Sequence, residues 1–238
     1  MAEFPIWSTL VLGFVLGLRH ALDADHLAAV STFVTQERSF LRSSLIGAFW
    51  GVGHTAALLV FGMGVAIFRL TLTPRLAQFL EFLVGCMLIW LGANALFKLS
   101  ARGQVHVHSH AHDGVEHSHL HVHVGNTAHE HLHQTLRLGG RPFIVGVVHG
   151  LAGTAALMML VVGAIPSVLL AAGYILIFGL GSIGGMMAMS LLMTVPLALA
   201  ARRVVVAERA IRVAAALFSL GFGLYLAWDV GLVQSLLA

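Results

Sequence analysis

Residues 6–34 read IWSTLVLGFVLGLRHALDADHLAAVSTFV. The stretch is apolar enough to enter a bilayer, yet its middle holds the run RHALDADH, Arg19 to His26. A hydrocarbon core about 30 Å thick is crossed by about 20 apolar residues in helical conformation, so this stretch predicts a first membrane span. An ionisable side chain at the bilayer centre costs at least roughly 2.5 kcal/mol. Arg19, His20, Asp23, Asp25 and His26 therefore need protein partners, water or a bound ion, because a lipid-facing helix could not hold them. On a straight helix His20, Asp23 and Leu27 share one face, while Asp25 and His26 turn away from it. Either the helix is distorted here or the two groups serve different purposes.

Five further apolar stretches, 43–68, 76–99, 141–164, 168–200 and 210–236, complete a predicted set of six membrane helices. Composition agrees: of 238 residues 58% are hydrophobic and 10% charged, and the mean hydropathy is +0.92. That is more apolar surface than one soluble domain can hide. The fifth stretch exceeds one untilted span and holds Gly179, Gly181, Gly184, Gly185 and Pro196. It predicts a kink or unwound turn near residues 181–185, a break tolerated where it lines a cavity.

The loops set the orientation. With the N-terminus outside, the inner loops carry Arg38, Arg42, Lys98, Arg102, Arg137, Arg141, Arg202, Arg203, Arg209 and Arg212, and the outer loops only Arg69 and Arg75. Excess cytoplasmic Lys and Arg is the usual topology, which predicts a multi-pass protein of the inner (plasma) membrane. Lys and Arg outnumber Asp and Glu by only 13 to 10 and form no single face; nucleic-acid binding is not expected. A single cysteine, Cys86, excludes a disulfide framework or thiolate cluster and reads as a small buried hydrophobe. The N-terminal residues lack a cleavable signal pattern, so the first helix is expected to remain in the protein.

An internal repeat relates the two halves. Gly17-Leu18-Arg19-His20 aligns with Gly146-Val147-Val148-His149, Val52-Gly53-His54 with Ile183-Gly184-Gly185, and Leu80 through Gly92 with Ile211 through Gly223. Three helices separate the copies, so the halves run in opposite senses across the membrane, an arrangement that in transporters encloses a midplane substrate site. The organisation predicted is an all-α membrane protein: a first three-helix repeat over 1–99, a histidine-rich loop over 100–140, disordered and cytoplasmic, and a second, inverted repeat over 141–238.

His20, Asp25 and His26, with His54 from the second span, are the candidate ligands of a metal ion. Imidazole nitrogen with carboxylate oxygen suits a divalent transition metal such as nickel, cobalt or zinc and is unsuited to copper(I). Asp23 is either a further ligand or the acceptor that fixes a histidine tautomer. Arg19 is placed to pair with either carboxylate when metal is absent. His149, as the repeat partner of His20, is a possible secondary ligand. The glycines near 51–53, 150–153 and 181–185 read as close-packing positions, and Met186, Met187, Met189 and Met193 as a core stripe.

Between the third and fourth spans lie His106, His108, His110, His112, His117, His119, His121, His123, His129, His131 and His133. Such a tract binds metal by composition alone and is expected to buffer or collect ions. Its alternation also describes a strand, but Gly114, Gly125, Asn126 and the few bulky apolar residues favour a mobile segment.

RHALDADHLAAVSTFV resembles the first signature of the nickel/cobalt transporter (NiCoT) superfamily, the HxxxxDH pattern met by His20, Asp25 and His26. GVGHTAALL is similar to its second, a Gly-His-Ser/Thr element met by Gly53, His54 and Thr55. The HGLAGTAA segment is similar to short six-helix members of the urease-accessory type. The resemblance implies Ni2+ or Co2+ as the transported substrate, no organic cofactor, Thr55 as support for the ligands, and nickel chaperones or urease-maturation proteins as possible partners. The chain lacks the acidic later signatures of the eight-helix uptake permeases, and its loop is similar in kind to that of efflux members. The expected function is therefore nickel or cobalt transport by alternating access, with efflux ahead of uptake. A sensing or maturation accessory and a haem-binding membrane oxidoreductase are the rivals. No HExxH is present for an intramembrane metalloprotease, and no enzyme activity is expected.

Overall fold

A computed structural model describes residues 6–35, 37, 39–69, 73–101, 106–112, 115–121, 139–151, 161–163, 165, 167–201 and 205–234. His123, His129, His131 and His133 lie outside them, as do Arg38, Arg102, Arg137, Arg202 and Arg203.

The first expected span is two helices, α1 (Ile6–His20) and α2 (Ala24–Val34). Ala21 N–H still bonds four residues back to Gly17 O, but Leu22 N–H and Asp23 N–H bond three back, to Arg19 O at 2.9 Å and His20 O at 3.1 Å. This tightening ends α1, and Asp23, with extended backbone (φ −63°, ψ 146°), starts α2 in a new direction. The break answers the question left by the helical wheel. His20 and Asp25 belong to different helices and need not share a face.

α3 (Phe40–Phe68) opens on Ser39, whose hydroxyl accepts from Arg42 N–H, and closes on Arg69 in the left-handed region (φ 50°). α4 (Pro74–Ala101) begins on proline, where the missing N–H costs nothing. α5 (Arg141–Gly150), α6 (Val168–Ala201) and α7 (Val205–Trp228) follow, with a π-helical turn at Asp229–Gln234. Four of these helices, α3, α4, α6 and α7, are long and apolar enough to cross a membrane. α1, at 15 residues, is shorter than a span by itself.

α6 runs without interruption, against the kink expected near 181–185. The glycines there serve close approach instead. A β-carbon at Gly181 would collide with Phe14 O and one at Gly185 with the Ala21 side chain, and Gly17 answers from α1 by lying against Phe178 O. Small residues at such a crossing let two backbones touch.

Residues His106–His112 (β1) and Val115–His121 (β2) pair as an antiparallel hairpin, with His106 opposite His121, His108 opposite His119 and His110 opposite His117. This corrects the expectation of a disordered loop over these residues. The alternation has the period of two that a strand requires, and the ladder satisfies the backbone that a polar tract otherwise leaves to water.

The long contacts join α1 to α6, α3 to α5, α3 to α6 and α4 to α7. Ala28, Val30, Trp50, Leu88 and Met186 are buried in one apolar cluster, and Leu58, Tyr174, Ile175 and Phe178 in another. Met186 thus joins the core, as read from sequence. Outward faces are apolar too: Val60, Phe97 and Leu169 are exposed, as a lipid-facing surface requires. Cys86 is exposed as well, on that lipid-facing side rather than in the core.

Candidate metal centre

The break between α1 and α2 places His20 at the end of one helix and Asp25 and His26 in the first turn of the next. His54 enters from the middle of α3 and His149 from the last turn of α5. All four imidazoles are buried, none more than 5% exposed. Their rings touch one another: His26 lies 4.3 Å from His20 and 4.0 Å from His149 between centroids, and His20 lies 4.9 Å from His54.

Carboxylates orient the rings. His20 Nδ1 donates to Asp23 Oδ2 at 2.9 Å, which leaves its Nε2 turned to His54 Nε2 at 3.0 Å. His26 Nδ1 donates to Asp25 Oδ1 at 3.0 Å, and the backbone N–H of His26 bonds the same oxygen at 2.9 Å. The other oxygen of Asp25 accepts from His149 Nε2 at 2.8 Å. A histidine that gives one ring N–H to a carboxylate presents the lone pair of its other nitrogen, the usual support of a metal-binding imidazole. His26 Nε2, His54 Nδ1 and His149 Nδ1 are buried without a hydrogen-bond partner among the described residues. Unsatisfied polar atoms at such depth cost roughly 1–3 kcal/mol each, and a cation bound among them removes that cost.

The donors fall into two sets whose atoms lie within 4.8 Å of one another: His20, His26 and His54, and Asp25, His26 and His149. The candidates His20, Asp25, His26 and His54 are thus brought together. Asp23 supports His20 from a more exposed position, its side chain 39% accessible. His149 is fully part of the cluster. Arg19 is exposed, and the ion pairs of Asp23 and Asp25 among the described residues are with histidines. Thr55 gives its hydroxyl to Gly51 O at 2.8 Å in its own helix and packs on Gly179, so it does not reach the ligands.

Sequence reasoning missed Trp50, which stacks on His26 with centroids 5.3 Å apart and planes 29° from parallel. The signal was its spacing: Trp50 precedes His54 by one helical turn and therefore shares its face.

The chain is 35% identical over 99% of its length to the urease accessory protein UreH of Bacillus sp. (strain TB-90), covering 97% of that protein. It is 37% identical over 39% of its length to a high-affinity nickel transport protein of Cupriavidus necator, covering 26% of it. To the cobalt transport protein NhlF of Rhodococcus rhodochrous it is 39% identical over 26% of its length, covering 18% of that chain. No family model matches the chain, and no solved structure matches it.

Proposed function

The chain belongs to the nickel/cobalt transporter superfamily, with the urease accessory protein UreH as a full-length relative, and from that premise we propose that it carries Ni2+ or Co2+ across the membrane through the buried histidine cluster. The observation that carries the reading is the cluster itself. Four buried imidazoles converge, and three of them are oriented by Asp23 and Asp25. Nitrogen donors with a few oxygens match the preferences of these two ions. The mutual contact of the rings supports this over a haem site, since a macrocycle needs a flat slot between its two axial imidazoles.

Six spans in two inverted units, N-terminus outside, are the architecture that suits alternating access. The helix contacts support it. Exchanging α1 with α5, α3 with α6 and α4 with α7 maps the contact α1 to α6 onto α5 to α3 and leaves α3 to α6 and α4 to α7 unchanged. Within the last pair, Gly85 lies against Gly223 and Gly92 against Ala216, two contacts that the repeat alignment interchanges. The ion is held between such units near the midplane and released as they rock. The histidine-rich loop, cytoplasmic in this topology, collects ions for export, and efflux is the proposed direction. A second reading rests on the name of the full-length relative: as a urease accessory protein, it favours nickel supply to a maturation apparatus, with nickel chaperones or urease-maturation proteins as partners.

Purified protein in sealed liposomes with a nickel-sensitive dye tests the proposal. Flux is expected, its sign giving the direction, and His20→Ala or Asp25→Ala abolishes it while the protein still inserts. Undiminished flux in both variants would reject the site.

A further inference from the structure

We propose that the cluster is two successive stations for one ion: a first of His20, His26 and His54, and a second of Asp25, His26 and His149, with His26 common to both. This rests on the transport reading above and says how the ion moves within the site.

Among the described residues the donors do not form one cage of five or six. They form two sets of three, each within 4.8 Å. The outlying members stand apart, with the His54 and His149 rings 6.2 Å between centroids. The sets differ in origin. His20, His26 and His54 all come from the first repeat, whereas the second set needs α5 of the other half. An ion moving from one set to the other therefore passes from a site inside one unit to a site that ties the units together.

His26 decides that the stations are filled in turn. Its Nδ1–H is held by Asp25 Oδ1, so it offers one lone pair, at the buried and unpartnered Nε2. One lone pair binds one ion. Serving two at once requires an imidazolate, and four positive charges would then face three negative ones, that imidazolate, Asp25 and the partly exposed Asp23, inside a low-dielectric span. Moving one ion is easier. It keeps His26, gives up His20 and His54, and gains Asp25 and His149, so that it is never stripped of all its ligands. Binding spread over neighbouring weak positions is what allows an ion to leave as well as enter.

The experiment uses the full chain with its eleven loop histidines replaced by Asn, so that only the buried ligands report. Co2+ is titrated by equilibrium dialysis, its visible absorption is recorded, and Co2+ flux is followed in liposomes. We expect one Co2+ per chain. In His149→Ala and His149→Gln binding persists, with affinity within about tenfold of the parent, while flux falls at least tenfold, taking the lower end of the change usual on loss of a site group. In His54→Ala one ion is again bound but with a shifted spectrum, its donors now including the Asp25 oxygen. Two ions per chain, loss of binding in both His149 variants, or flux above half of the parent value in either of them would overturn the two-station reading. No Co2+ bound by the parent at all would overturn the transport site itself, a result distinct from the other three.

Discussion

Asp23 and Asp25 stand two positions apart, yet the break in the helix gives them unequal parts. Asp23 is partly exposed and holds one ring, that of His20. Asp25 is shielded and holds two, His26 with one oxygen and His149 with the other, so it also links residues 124 positions apart in the chain. Neutralising Asp23 should therefore weaken a site that still assembles. Asp23→Asn keeps the size of the side chain and removes the charge that fixes the His20 tautomer, and about a 10–100-fold loss in Co2+ affinity is expected from a supporting carboxylate. Asp25→Asn should cost more, because both stations lose support together. Competition titration with a chelator of known affinity measures the pair, and an affinity lower in Asp23→Asn than in Asp25→Asn would contradict this division. In the proposed repeat the counterpart of His54 is Gly185, whose hydrogen is the most the Ala21 contact permits. The cluster is consequently lopsided, with three of its four imidazoles from the first repeat.

At the scale of elements, apolar run length located α3, α4 and α6 to within three residues, and α7, expected at 210–236 and found at Val205–Trp228, less closely, since each must bury or greet lipid along its whole length. The helical wheel raised a distortion within RHALDADH as one alternative but did not place the break after His20. That break is set by a switch from four-back to three-back hydrogen bonds over residues 21–23, and ALD carries neither glycine nor proline to announce it. The reverse error occurred at 181–185, where glycines that look like a hinge are a contact face. His20, Asp25, His26 and His54 were legible because intramembrane charge is costly wherever it lies. The Asp25 to His149 bond was not, because no local pattern encodes a partner across the molecule. The hairpin allows a test of its own. The register puts His106, His108 and His110 opposite His121, His119 and His117, and a histidine tract binds metal by its composition. If opposed pairs are the binding unit, replacing the three β1 histidines by Ser removes as much weakly bound Ni2+ as replacing all six. Equilibrium dialysis of the full chain counts the ions, and a loss only half as large would show that the histidines act singly.

With the proposed repeats, the whole molecule inverts the usual relation between a repeat and a domain. A domain has its own core, but here the extensive helix contacts, α1 to α6, α3 to α5, α3 to α6 and α4 to α7, all join one repeat to the other. Within the first repeat α3 and α4 are held chiefly through what they share with the second. The buried clusters say the same: Leu88 and Val30 pack with Met186, and Leu58 with Tyr174 and Phe178. Neither half can then be stable by itself, while a cut in the segment that joins them removes none of these contacts. Separate expression of residues 1–130 and 131–238 should give two polypeptides that are degraded when made singly. Made together they should copurify and restore Ni2+ flux in liposomes, because Asp25 and His149 meet again when α3 finds α5 and α6. A first half that accumulates and transports alone would mean that the second repeat is dispensable, and neither the inverted architecture nor a site shared between the halves would survive that result.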